Sequence, residues 1–309
     1  MTLGDAVEPL VHIKDFRMDF GDTTVIRDLS FDVNAGETFG FLGSNGSGKT
    51  TTLRALLGIY QPTAGTLHIG GKVFQPRDGA RLGYLPEERG LYKKESVLDV
   101  MVYFGRLKGL SKAAARSWSE SYLERVGIGD KAKVRLDKLS GGQQQKVQLG
   151  VTIMNSPELL ILDEPTKGFD PVNRRLLMDI IEEHKRAGAT VIMVTHQMEE
   201  VERLCDRVIL LKDGVSRAYG TVEEVQEEFG GTVYRVAYEG VLPVSGLFDV
   251  ISDSDGRAEL APRPGAGEAA VLRELVESGA GIRSFAPARI SLDEIFIKVY
   301  GEQNELAEA

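Results

Sequence analysis

Cysteine occurs once in the 309 residues, at Cys205. A single thiol forms no internal disulfide and builds no cysteine zinc site. Long apolar runs are missing too: runs such as Leu159 to Leu162 are strand-sized, far short of the roughly 18 apolar residues of a membrane helix. The N-terminus, Met1-Thr2-Leu3-Gly4-Asp5, lacks the basic-then-apolar order of a secretory signal. These absences point to a cytoplasmic chain that does not itself cross a bilayer. A basic excess is also lacking. The formal net charge is -9, and residues 220–309 hold 7 Lys and Arg against 17 Asp and Glu, leaving 30 basic and 29 acidic residues before them. So acidic a C-terminal segment repels phosphate backbones and argues against nucleic acid as a partner.

What remains is the makeup of a folded protein, 42% hydrophobic and 27% charged. At roughly 150 residues per domain the length suits two domains, or one with an appendage. Residues 10 to 33 alternate apolar and polar positions around Gly21-Asp22 and Asn34-Ala35-Gly36, which predicts a short antiparallel meander. A buried strand at Thr38 to Leu42 then leads through a glycine-rich loop into a helix from Lys49 to Leu57, closed by Gly58. Short strands are expected at Leu67 to Val73 and Leu82 to Leu85. From Ser96 to Ile128 the apolar spacing is helical, which reads as an insertion. Leu159 to Asp163, Thr190 to Thr195 and Val208 to Lys212 are short apolar runs between helical segments, as in a parallel α/β sheet. The final segment carries capping-box patterns at Thr221 to Glu224 and Ser291 to Glu294, a strand near Val233 to Tyr238, a Gly/Pro-rich stretch at 262–267 and a helix from Glu268 to Ser278. It reads as a separate small α+β domain.

Gly43-Ser44-Asn45-Gly46-Ser47-Gly48-Lys49-Thr50 fits the P-loop pattern, with Thr51 following it. Backbone amides and a helix N-terminus there surround phosphates, Lys49 reaches the β/γ oxygens, and Thr50 holds Mg²⁺. Leu159-Leu160-Ile161-Leu162-Asp163-Glu164 is an apolar strand ending in two carboxylates. Such a strand delivers Asp163 to Mg²⁺ and Glu164 to the attacking water as general base, at the sheet edge where ligands bind. Leu139-Ser140-Gly141-Gly142-Gln143 opens a helix running to about Met154 and forms a second anion site from a hydroxyl, free amides and the helix dipole. A head-to-tail dimer would close this second site over the nucleotide on a partner's P-loop.

With these motifs in this order, residues 10–220 resemble an ATP-binding cassette (ABC) ATPase subunit. The resemblance implies an α/β fold with a RecA-like parallel-sheet core, an antiparallel β subdomain and a helical insertion at about 93–154, in a nucleotide-binding domain over 1–220. An accessory α+β domain over 221–309 follows. It implies that His196, after the strand Thr190 to Val194, is the switch histidine at the γ-phosphate, and that Gly168-Phe169-Asp170 is the D-loop, with Asp170 acting across the dimer. Phe20, beside Gly21, matches the aromatic residue that stacks on adenine, a task that needs a flat π-face rather than a hydroxyl. His12, His68 and His184 are read as structural. In Tyr84-Leu85-Pro86-Glu87-Glu88-Arg89-Gly90, Glu87 stands where the family usually has a Gln that ligates Mg²⁺. A carboxylate also ligates Mg²⁺, but adds a negative charge near the γ-phosphate.

The stretch 85–92 and the ending Ser291-Leu292-Asp293-Glu294-Ile295-Phe296 are similar to the bacterial subgroup that serves multi-span export permeases of sodium- and drug-export type. The resemblance therefore implies MgATP hydrolysis by a homodimer or paired ATPase subunits, peripheral on the inner face of the membrane, driving a separate permease. A soluble ABC ATPase acting on nucleic acid or ribosomes is the rival reading; its usual marks, a long coiled-coil insertion, zinc-binding cysteines or two cassettes in one chain, are not found. A nucleotide-sensing module with little turnover is the other, and Glu164 and His196 count against it.

Overall fold

The computed structural model describes residues 9–88, 90–230 and 232–301; Met1 to Asp5 and Arg89 lie outside them. Strands β1 (Val11–Phe20) and β2 (Thr23–Val33) pair antiparallel across the Gly21-Asp22 turn. Their alternating apolar residues, including Ile13, Phe16, Ile26 and Leu29, are buried. Every residue of β3 (Thr38–Gly43) is buried, as an interior strand requires. Helix α1 (Lys49–Leu56) packs on β3 and on β4 (Ala64–Ile69). The fourth strand stops at Ile69 rather than at the expected Val73, because Gly70 and Gly71 both adopt positive φ and turn the chain, leaving Val73 exposed.

After β5 (Leu82–Leu85) the expected helical insertion forms as two helices, α2 (Val97–Leu107) and α3 (Lys112–Arg125). Gly109 at φ 90° breaks them apart, and Ser96 and Ser111 cap their N-termini by accepting from the Asp99 and Ala114 amides. Both pack against α4 (Gly141–Ile153), with the Tyr122 hydroxyl donating to the Lys146 carbonyl. The sheet then resumes through β6 (Leu159–Asp163), α5 (Pro171–Arg186), β7 (Thr190–Val194), α6 (Met198–Leu204), β8 (Arg207–Lys212) and β9 (Val215–Thr221). Its order is β4-β1-β2-β9-β8-β3-β7-β6-β5. From β8 to β5 all neighbours run parallel. Their C-terminal ends therefore share one edge. The antiparallel strands join the same core, with Phe31 stacked on Phe39 at 5.3 Å. The strand β9 was not expected from its mixed residues; Asp213 and Gly214, both at positive φ, turn the chain into it.

The chain divides into two compact units between Tyr219 and Gly220. In the second, α7 (Val222–Phe229), β10 (Thr232–Glu239), β11 (Phe248–Ser254), β12 (Arg257–Pro262), α8 (Glu268–Glu277), β13 (Gly281–Arg289) and α9 (Leu292–Gly301) follow in order. An antiparallel sheet, β11-β12-β10-β13, closes a core of Tyr234, Val236, Leu260, Val271 and Leu275. Only β10 was anticipated, because β11 is mostly exposed and β13 carries glycine, proline and arginines in place of a clean alternation. Both expected caps form: Thr221 and Glu224 exchange bonds before α7, as Ser291 and Glu294 do before α9.

The helical insertion holds its shape through wholly buried residues such as Leu123. Leu123→Ala is expected to lower unfolding free energy by about 2–5 kcal/mol in urea titration; a loss below about 1 kcal/mol would show that α3 is not packed as described.

Candidate functional site

Four adjacent strand ends build the site. Beyond β3, the loop from Gly43 to Gly48 keeps its backbone in conformations that exclude a side chain. Gly43, Gly46 and Gly48 have positive φ, a Cβ on Gly43 would lie 2.5 Å from Ser47 Oγ, and one on Gly48 would lie 2.3 Å from Ile26 Cδ1. Gly48 is the N-cap residue of α1, so the free amides of Lys49, Thr50 and Thr51 open toward the loop. Lys49 Nζ donates to the Gly43 and Ser44 carbonyls at 2.7 and 2.9 Å. Burial lowers its pKa, while Glu164, Asp163 and Glu87 oppose the shift.

Beyond β6, Asp163 and Glu164 diverge. Asp163 is buried, and burial raises its carboxyl to about 6, reinforced by Glu87 and Glu164 and opposed by Lys49 and a hydrogen bond with Thr50. Its Oδ2 has no hydrogen-bond partner among the described residues. A buried carboxylate with an orphaned oxygen beside a threonine hydroxyl fits a hard divalent cation, which takes oxygen ligands. Glu164 takes φ 51°, a left-handed conformation uncommon for a residue with a side chain. Its amide donates to the Val194 carbonyl at 2.8 Å and fixes that turn. Its carboxylate lies 2.9 Å from Nδ1 of His196, beyond β7. Sequence order separated these two residues by 32 positions; parallel pairing of β6 with β7 brings them together.

Beyond β5, Glu87 lies 2.5 Å from Lys167 Nζ. The helix α4 begins at the expected glycine pair: Ser140 is its N-cap, the Ser140 hydroxyl accepts from the Gln143 amide, and Gln143 Oε1 accepts from the Ser140 amide. The Phe169 ring lies against Gly142. Asp170 caps α5 and accepts from both nitrogens of Asn173, which lowers its pKa. Phe20 remains exposed, its ring edge-on to Tyr60 at 5.3 Å, near the end of α1. Of the other histidines, His12 pairs with Asp32, His68 sits opposite His12 in the β1–β4 ladder, and His184 is on α5.

Several site-shaping residues were not anticipated. Gln145 and Gln148, one turn apart and both buried on α4, donate to the Pro165 carbonyl and to the Pro86 and Glu88 carbonyls. Buried Glu200 accepts from the Thr166 hydroxyl at 2.6 Å and lies 3.7 Å from Arg174 Nε. Two buried glutamines at helical spacing were the available signal for the first pair; the Glu200 contact depends on a helix meeting a loop distant in sequence.

Comparison with known proteins bears on the family and the fold. Residues 26–167 match the family model described as ABC transporter, and residues 220–300 match that of the ATP-binding protein DrrA1-3-like C-terminal domain. An uncharacterized ABC transporter ATP-binding protein of Bacillus subtilis is 34% identical over 292 residues, covering 91% of this chain and 95% of that protein. A Nod factor export ATP-binding protein I of Burkholderia lata is 32% identical, covering 95% of this chain and 97% of its own length. A linearmycin resistance ATP-binding protein of Bacillus subtilis is 32% identical over 75% of this chain and 76% of that one. Among solved structures, an ATP binding subunit of an ABC transporter superposes with TM-score 0.66 at 28% identity, covering 72% of this chain and 94% of that one.

Asp163 also makes a stability prediction. Its folded pKa lies above the unfolded value, so the folded state binds the extra proton, and stability falls as pH rises through the window from about 4 to about 6. Asp163→Asn is therefore expected to stabilise the nucleotide-free protein at pH 7.5 by up to about 3 kcal/mol, at roughly 1.4 kcal/mol per pKa unit, with the gain shrinking toward pH 4. Urea midpoints at the two pH values check this; an equal or larger gain at pH 4 would contradict it.

Proposed function

The chain belongs to the family of ABC transporter ATP-binding proteins, and on that premise we propose that it hydrolyses ATP to drive a separate multi-span permease in the direction of export. The observation that carries this reading is the meeting of the Gly43–Thr50 loop, Asp163, Glu164 and His196 at one edge of the parallel sheet. Relatives named for Nod factor export and linearmycin resistance support the direction.

In this reading the phosphates lie along the loop from Gly46 to Thr51, on the free amides of Lys49, Thr50 and Thr51, and Lys49 exchanges its loop carbonyls for β/γ oxygens. Phe20 offers its exposed ring to adenine. Thr50, Asp163 and Glu87 would hold Mg²⁺, whose charge, when bound, helps neutralise the phosphoryl group being transferred. Glu164 takes a proton from the attacking water as the new oxygen–phosphorus bond forms and the bond to the ADP oxygen breaks, leaving ADP and inorganic phosphate. The neighbouring His196 orients that carboxylate and faces the γ-phosphate. Ser140, Gly141, Gly142 and Gln143 close over the nucleotide of a second ATPase subunit, identical or related, with Asp170 at the same junction. No described helix is long and apolar enough to cross a membrane. The permease is a separate polypeptide, and the chain works peripherally on the inner face. Residues 221–309 form an accessory domain of this subunit.

Glu164→Gln keeps the shape of the side chain and removes the base. It is expected to retain MgATP binding, to lose at least about 100-fold in turnover and to accumulate as an ATP-bound dimer in light scattering. Hydrolysis at the wild-type rate would remove Glu164 from its role.

A further inference from the structure

Glu87 and Lys167 come from loops 80 residues apart in sequence, and α4 holds both loops. Gln148 donates to the carbonyls on either side of Glu87, at Pro86 and Glu88, with lengths of 3.3 and 3.2 Å. Gln145, one turn earlier, donates to the Pro165 carbonyl, and the Lys167 amide bonds back to the Glu164 carbonyl at 3.2 Å. With both loops hung from one helix, Lys167 Nζ closes on Glu87 Oε1 at 2.5 Å.

Stability does not account for this contact. The Lys167 and Glu87 side chains are 59% and 43% exposed, and ion pairs so open to water add about 0–1 kcal/mol at most. What the pair does control is where a charge resides. Glu87 is close enough to act on Asp163 and on Lys49. Asp163 and Glu164 already place two carboxylates at the strand ends, so an unpaired third would oppose the approach of a triphosphate. Lys167 follows Glu164 by three residues and brings a cation to that third carboxylate.

We propose that Lys167 is a positioning residue for Glu87: it neutralises the carboxylate and holds it off the phosphate site until Mg²⁺ and nucleotide arrive together. This rests on the reading of the strand-end edge as a MgATP site. The two residues then form one unit, in which a glutamate is tolerated at position 87 because a lysine stands at position 167. Removing the lysine alone exposes the charge; removing both charges restores neutrality.

The test is ATP affinity by calorimetry for wild type, Lys167→Gln, Glu87→Gln and the double variant, each with EDTA and with Mg²⁺. In EDTA, Lys167→Gln is expected to weaken ATP binding about three- to tenfold, the effect of one unscreened charge on a polyanion near water-like dielectric. The same substitution in the Glu87→Gln background is expected to change affinity less than about twofold, and Mg²⁺ is expected to shrink the penalty in the single variant. Lys167→Arg restores wild-type affinity, which separates charge from any effect on folding. An equal loss in both Glu87 backgrounds would mean that Lys167 acts on the nucleotide directly, and unchanged affinity in the single variant would mean that it positions nothing; either overturns the proposal. Failure of the wild type itself to bind ATP would overturn the MgATP reading beneath it, a result distinct from the other two.

Discussion

Parallel hydrogen bonding among β3, β7, β6 and β5 is the constraint on which the site depends. It forces the strands to end together, so four loops that share no sequence proximity deliver their first residues to one edge. The run of buried residues along β3, β6 and β7 keeps these strands in the interior of the sheet, since strands covered on both faces have no polar side to turn outward. A slip in that pairing would move Asp163, Glu164 and His196 relative to the Gly43–Thr50 loop together.

The helix α4 adds a second level of organisation. Its first turn presents Ser140 and the glycine pair, and its buried glutamines bind the loops that carry Glu87 and Lys167. The loop after β5 and the loop after β6 are thus tied to the helix whose N-terminus carries Ser140. A displacement of α4 with the helical insertion reaches both loops through hydrogen bonds rather than through loose packing. The strained backbone at Glu164 belongs to the same logic: its left-handed turn costs on the order of 1 kcal/mol or more and is held by the Val194 carbonyl on the neighbouring strand.

Much of this was legible in the sequence, for identifiable reasons. The P-loop glycines, the apolar strand ending in Asp163-Glu164 and the Ser140-Gly141-Gly142-Gln143 helix start are local patterns whose spacing encodes their geometry. The parallel core could be read because β6, β7 and β8 are unbroken apolar runs. By contrast, β9, β11 and β13 were not readable, because their residues alternate poorly and their pairing is set by partners elsewhere in the chain. The Glu87–Lys167 pair and the Thr166–Glu200–Arg174 contacts were hidden for the same reason: each joins segments that only the tertiary fold brings into reach.

In the proposed function the common C-terminal edge of these strands receives MgATP. A crystal structure of the protein with Mg²⁺ and a non-hydrolysable ATP analogue tests it most directly. The triphosphate is expected along the loop from Gly46 to Thr51, with Lys49 released from the Gly43 and Ser44 carbonyls and the ion between Thr50 and Asp163. Nucleotide bound elsewhere, with Lys49 still on its loop carbonyls, would contradict it.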